Sequence, residues 1–241
     1  PACANFLAAA VRAQWSVVVS GPMSAGKTTL MRALCAQIPT DEAIGTFETE
    51  YELFLGEVGT HEVVIDWEAR PGVGEIGPDG RAAGAFELSQ ALHDSFRFAL
   101  SRQIVGEVRG AEVWTMIKAM ESGTGSLSTT HAANAEACIR KLVTCAMEAG
   151  AHVSREVALE KIAGALQLIL QLRRDVQTQP DGQTRQLRWV SEVVMVEAGE
   201  RETGYALTHL FGPSSAGAAE AFGESAPSER YLDAFGFDFA M

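Results

Sequence analysis

The stretch GPMSAGKTT, Gly21 to Thr29, constrains this chain more than any other. It fits the pattern GxxxxGK[ST]. It lies between the β-branched run Trp15 to Ser20 and the segment Lys27 to Gln37, where Leu30, Met31, Leu34 and the following Ile38 recur at helical spacing. A glycine-rich turn from strand to helix aims successive backbone N–H groups inward at a helix N-terminus and forms a nest for an anion. The phosphate-binding candidates are therefore Gly21, Ser24, Ala25, Gly26, Lys27, Thr28 and Thr29. The Lys27 ammonium reaches the β- and γ-phosphates of a nucleotide such as ATP, and the Thr28 hydroxyl is a ligand for Mg²⁺.

Such a unit needs a parallel sheet around it, and the rest of the pattern supplies one. Helical signals cover Cys3 to Ala13, Phe86 to Leu100, Ala111 to Glu121, Ala135 to Ala149 and Ser154 to Ala165; strand signals cover Ala43 to Phe47, Glu62 to Trp67, Gln103 to Gly106 and Ser126 to Thr130. The glycine- and proline-rich stretch Pro71 to Gly84 reads as a loop without fold information. Leucines at 166, 168, 170 and 172 alternate with Gln167, Gln171 and Arg173; Pro180-Asp181-Gly182 then turns that strand into a partner carrying Leu187, Trp189, Val193 and Met195, extended by Tyr205 to Leu210. The expected fold class is α/β, with a mainly parallel sheet and a C-terminal antiparallel hairpin. One domain is expected over 1–210, followed by a flexible tail over 211–241 with a short helix near Ser228 to Phe235.

Composition narrows the partners. With 19 basic and 31 acidic side chains the formal charge is −12, which provides no electrostatic footprint for a phosphate backbone, so no nucleic-acid partner is expected. Cys3, Cys35, Cys138 and Cys145 include no CxxC pair and mostly sit at helical spacing among apolar residues, as buried free thiols do. No apolar run approaches the roughly 18 residues of a membrane span, and the N-terminus has no basic leader. A soluble, cytoplasmic protein is expected, without direct membrane insertion. Pro1 opens onto a helical pattern, so the chain is expected to be a fragment or a processed product.

The octapeptide QIVGEVRG, Gln103 to Gly110, ends an apolar strand on Glu107. An acid at a strand end is ordinarily a solvated turn residue. In a domain with a phosphate loop, however, the C-terminal strand ends face the ligand, and phosphoryl transfer needs an acid near the metal or the attacking water. Glu107 is thus the candidate general base or water-orienting acid, with some role in holding Mg²⁺.

Four segments in order, GPMSAGKTTL, TFETEYEL, IVGEVRGAEVWTMIKAMESGTGSLSTTHAAN and the helix beginning AEACIRKL, resemble the secretion ATPase superfamily of type II secretion, type IV pili and type IV secretion. The likeness spans about Ala8 to Leu172, and its GEVRG form is nearest the type IV secretion and tight-adherence (Flp) pilus branch. It implies a RecA-like P-loop NTPase domain whose Walker B acid is Glu107. The family's acidic box corresponds to Phe47 to Leu53, which implies Glu48 and Glu52 as metal-side or water-side carboxylates, although Thr49 stands where aspartate is common. Its histidine box corresponds to Gly125 to His131, which implies that His131 contacts the γ-phosphate and reports its loss. Arg97 and Arg109 align with family arginines, while Ala99, Leu100 and Ser101 replace the usual arginine, proline and aspartate. Arg109 is left open between phosphate sensing, a subunit contact and plain ion pairing. Arg140 reads as a salt bridge, and His61, His93, His152 and His209 as structural or surface residues.

The implied function is Mg-dependent ATP hydrolysis that powers secretion or Flp/type IV pilus assembly. The implied partners are the chain's own subunits in a hexameric ring and an inner-membrane secretion or pilus platform protein, which would hold the motor at the cytoplasmic face. The family's tetracysteine zinc module and N-terminal domain have no counterpart in the sequence. Two rival readings fit the sequence as well: a nucleotide-binding scaffold with little hydrolysis, and a DNA-translocating RecA-like motor.

Overall fold

The computed structural model describes residues 2–78, 82–123, 125–179, 182–199 and 204–213, with the backbone of 219–221. Helix α1 (Ala2–Arg12) leads to β1 (Val17–Ser20), α2 (Lys27–Cys35), β2 (Ile44–Glu48), the one-turn α3 (Leu55–Val58) and β3 (Val64–Glu68). Then come α4 (Leu88–Ser95), β4 (Arg102–Val105), α5 (Glu112–Glu121), β5 (Ser126–Thr130), α6 (Ala135–Met147) and α7 (Arg155–Ala165). Strands β6 (Leu168–Thr178), β7 (Thr184–Ala198), β8 (Tyr205–Pro213) and β9 (Ala219–Ala221) complete one nine-stranded sheet, in the order β3-β2-β4-β5-β1-β6-β7-β8-β9.

The strands from β3 to β6 in that order run parallel, and β7 and β8 return antiparallel, as the sequence pattern predicts; β9 pairs antiparallel with β8 inside the stretch expected to be a flexible tail. The centre is β1, where Val17 pairs with Leu127 on one side and Leu168 on the other. Both faces of β1 are covered, so its run of valines is uniformly buried. Alternation sends Val18 into the core under α4–α7, and Val17 and Val19 into the core under α1 and α2. Each fully buried valine of this kind stabilises the fold by about 1.5–3 kcal/mol.

Several elements depart from expectation. The helix expected over Phe86 to Leu100 ends at Ser95. There the buried Ser95 hydroxyl donates to Leu92 O at 2.7 Å and accepts from Gln103 Nε2 at 2.9 Å, and Ala99 takes a left-handed φ of 51° that turns the chain into β4. The single turn α3 carries too few residues for a period to show. Within Pro71 to Gly84 the chain does carry structure: it folds back on itself through bridges Arg70–Phe86 and Ile76–Ala82. The β6 and β7 arms run past the expected hairpin, and Gln179 N donates to Gln183 O at 2.8 Å to close them. Pro180 and Asp181 of the expected turn lie outside the described residues.

The boundary expected at Leu210 falls inside β8, because Phe211 is 1% exposed and packs 5.5 Å from the Phe6 ring. The rest of the expected tail, including the helix at Ser228 to Phe235, lies outside the described residues except for β9. The cysteines are free thiols; Cys35, Cys138 and Cys145 are buried, and burial pushes the first two up to about 12. Among the described residues no helix is long and apolar enough to cross a membrane.

Candidate active site

The C-terminal ends of β1, β2, β4 and β5 meet in a cavity of about 350 Å³, lined among others by Lys27, Thr28, Glu48, Glu52, Glu107 and His131. The parallel register explains the meeting, since every strand in this half of the sheet ends on the same edge. The loop from Gly21 to Gly26 reaches α2 through Ser24 and Gly26, with φ of 59° and 89°. Glycine takes the second of these at no steric cost, and it starts α2 with its N-terminus at the cavity.

Lys27 is buried although charged. Its Nζ donates to Pro22 O at 3.2 Å and lies 3.0 Å from His131 Nδ1. On the other side of the same ring, Nε2 lies 3.0 Å from Glu107 Oε1, while Glu107 Oε2 accepts from Arg109 at 2.6 Å. An ammonium cannot accept, so with Lys27 charged the ring's Nδ1 is the acceptor and Nε2 carries the proton toward Glu107. Gly21 O, 3.2 Å from Nδ1, accepts a hydrogen bond only when Nδ1 carries a proton.

Burial alone would raise the Glu107 carboxyl, but the Arg109 hydrogen bond and charge, aided by His131 and Lys27, hold it below the usual carboxylate range. Desolvation lowers Lys27, against the pull of Glu107. Anything that draws Arg109 away would restore proton affinity to Glu107. The Glu107 backbone is fixed from both sides: Thr129 Oγ1 donates to Gly106 O at 2.7 Å and Thr130 Oγ1 to Val108 O at 3.1 Å.

The two box carboxylates do different things. Glu52 Oε2 accepts the Thr28 hydroxyl at 3.0 Å, so these two oxygens stand together at the start of α2. Glu48 is 2% exposed, and its Oε2 accepts the backbone N–H groups of Glu52 and Leu53, both at 2.9 Å. Among the described residues its other oxygen, Oε1, is buried without a hydrogen-bond partner. The side chain lies against Gly106, where an added Cβ would come 2.9 Å from Glu48 Cγ. In this arrangement Glu48 shapes the loop that presents Glu52. Arg32 ties the same loop to α2 by donating to Leu53 O at 2.8 Å.

Burial raises the Glu48 carboxyl above its ordinary value. The folded state therefore binds this proton more tightly than the unfolded chain, and stability is lost as pH rises through the folded value. A Glu48→Gln variant, which cannot ionise, is expected to gain stability relative to the parent as pH rises from about 4.5 to neutrality. Urea unfolding across that range checks this; a difference that does not change with pH would mean that Glu48 does not titrate in the fold.

Other expectations sort by position. Arg140 pairs with Glu136 at 2.8 Å on one helix, and His61 bonds Thr60 and Ile38 O away from the cavity. Arg97 follows α4 and precedes β4, near the edge of the sheet opposite Glu107. Sequence reading passed over Arg188, whose Nε donates to Ser24 O of the phosphate loop at 2.8 Å. Nothing local distinguishes it from other strand arginines.

Comparison with known proteins agrees with the geometry. The family model "Type II/IV secretion system protein" matches residues 1–205. The type IV secretion system protein PtlH of Bordetella pertussis is 34% identical over 145 residues, covering 60% of this chain and 40% of that protein. VirB11 of Bartonella henselae is 27% identical over 172 residues, covering 70% of this chain and 45% of that protein. Among solved structures, the VirB11 ATPase of the Brucella suis type IV secretion system, in complex with sulphate, superposes with a TM-score of 0.64 at 26% identity, over 78% of this chain and half of that one. This chain thus spans less than half the length of these curated relatives. The family match takes in every element from α1 to β7, and the chain belongs to the type II/IV secretion system protein family, within the secretion ATPase superfamily.

Proposed function

We propose that this chain is the ATP-hydrolysing motor domain of a type IV secretion or pilus-assembly machine. The observation that carries the reading is the line Lys27, His131, Glu107, Arg109 drawn across the mouth of the phosphate loop. ATP is the substrate. Its phosphates would lie on the loop backbone and Lys27, with Glu107 placed to orient and deprotonate the attacking water and His131 between the two. Mg²⁺ ordinarily takes one or two protein oxygens and completes its shell with phosphate and water, and the adjacent Thr28 hydroxyl and Glu52 carboxylate are such a hard-oxygen set. Bound there, Mg²⁺ would neutralise charge on the β- and γ-phosphates. Glu107 is the further acid within the same cavity, and Glu48 supports Glu52 from behind.

Loss of the γ-phosphate would free His131 and Arg109 to return to Glu107, which converts hydrolysis into a change of contacts at the cavity wall. A ring, most simply a hexamer, would pass that change between subunits and on to an inner-membrane platform, with the motor at the cytoplasmic face. The PtlH and VirB11 relatives support secretion as the work; GEVRG supports the tight-adherence branch as a close alternative. The charge of −12 disfavours DNA as the track.

Steady-state ATP hydrolysis against protein concentration, with and without Mg²⁺, tests this. Turnover that needs Mg²⁺ and rises faster than linearly is expected of an assembling motor. Tight ATP binding without turnover would favour a scaffold, with Thr49 on the cavity wall as the residue to explain.

A further inference from the structure

Gln171 stands on the polar side of the half-buried strand that the sequence predicts, yet it is 1% exposed. Leu168, Leu170 and Leu172 enter the core under α1 and α2, and alternation turns Gln171, with Ile169, to the opposite face under α4–α7. A buried amide costs free energy unless its polar atoms are paired. Here the pairing is incomplete, for among the described residues Gln171 Oε1 has no hydrogen-bond partner. Packing alone would favour an apolar side chain of that size.

The two amide donors show what Gln171 holds. Nε2 donates to Ala132 O at 3.1 Å and to Leu172 O at 3.3 Å; the reversed amide would aim Oε1 at both carbonyls, so the orientation is fixed. Ala132 follows His131 in the connection 131–134 between β5 and α6, none of whose residues is fully buried. Leu172 O borders the phosphate loop, since a Cβ added to Gly21 would come 3.0 Å from it. One side chain thus ties the turn that carries His131 to the strand beside Gly21. Gln171 is itself held from behind. It pairs with Glu192, and Leu172 with Val190, which leaves Ser191 as the extra residue of a β-bulge. The buried Ser191 hydroxyl donates to Gln171 O at 3.0 Å.

We infer that Gln171 is a positioning residue for ATP turnover: through Ala132 O it sets the His131 ring between Lys27 and Glu107. The inference rests on the reading of the cavity as an ATPase site. The two ring nitrogens lie 3.0 Å from Lys27 Nζ and 3.0 Å from Glu107 Oε1. A shift of the connection by about 1 Å along that line therefore breaks one contact or the other. Gln171 does not line the cavity, so it acts on the reaction only through the backbone that it holds.

Gln171→Met tests this, because it keeps an unbranched side chain of similar length and removes both donors. With the fold checked by urea unfolding, kcat is expected to fall about tenfold and the KM for ATP to stay within about twofold. In a His131→Ala background, measured with enzyme in excess so that slow turnover is resolved, the same substitution is expected to change the rate by less than about twofold. A merely structural residue would not depend on His131 in this way. Should Gln171→Met fail to fold, Ser191→Ala, which releases Gln171 O, decides in its place: a loss of about threefold in kcat is expected, again only while His131 is present. Parent-like kcat, a rise in KM alone, or a loss that persists without His131 overturns the positioning role and leaves the ATPase reading standing. If the parent does not hydrolyse ATP, the ATPase reading falls and the positioning role with it.

Discussion

Glu107→Gln is expected to lower ATP turnover by about 10²–10⁴-fold while ATP affinity stays within about threefold. The size follows from what the substitution removes. Glutamine matches the shape of the side chain and its amide oxygen still accepts from Arg109, so the loop from Gly106 to Gly110 keeps its position. It cannot take a proton. The cavity charge changes as well: Arg109 and Lys27 lose the carboxylate that now offsets them, which favours bound phosphate and keeps affinity from falling. Stopped turnover with retained binding therefore separates a role in chemistry from a role in folding. Turnover within tenfold of the parent would place the water-activating carboxylate elsewhere, and Glu52, beside Thr28, would be the next residue to test.

With Arg109 at 2.6 Å, the Glu107 carboxylate is a weak base and the cavity is at rest. Arg109 is 67% exposed at its side chain, so it is free to exchange Glu107 for a phosphate oxygen without a burial penalty. Of the three roles left open by the sequence, the ion pair is the one present in this structure. It does not exclude phosphate sensing, since a pair that holds the base inactive is one that a phosphate can release.

How much of this was legible in the chain depends on distance. The loop was legible because GPMSAGKTT is local and its strand and helix flank it directly. The parallel sheet followed from the alternation of short apolar runs with helical ones. The different duties of Glu48 and Glu52 were not legible, because they depend on Gly106 lying against Glu48, a contact across 58 positions that only the β2–β4 pairing creates. Arg188 was hidden for the same reason: its partner Ser24 lies 164 positions away. The end of α4 at Ser95 was missed because a buried serine bonding back to its own helix overrides an apolar period that continues through Phe96 and Ala99.

The largest expected loss of stability lies at the other end of β4. Arg102 is 1% exposed, and its guanidinium meets the Glu42 carboxylate through both Nε and a terminal nitrogen, the latter at 3.1 Å. Arg102→Ala removes one partner and leaves Glu42, 17% exposed at its side chain, as a largely buried charge without its cation. The expected cost is about 3 kcal/mol, the lower end of the range for broken buried pairs because water still reaches Glu42. Urea unfolding measures it, and a variant as stable as the parent would show that the pair contributes nothing. Replacing both partners, Arg102→Met with Glu42→Leu, is expected to recover most of the loss, since no charge is then stranded. Nucleotide affinity of the folded variants should not change, because Arg102 begins β4 and Glu107 follows its end. The same short strand thus carries two arginine–glutamate pairs with opposite duties: one is buried and held by the sheet, the other is open to water at the cavity and able to part.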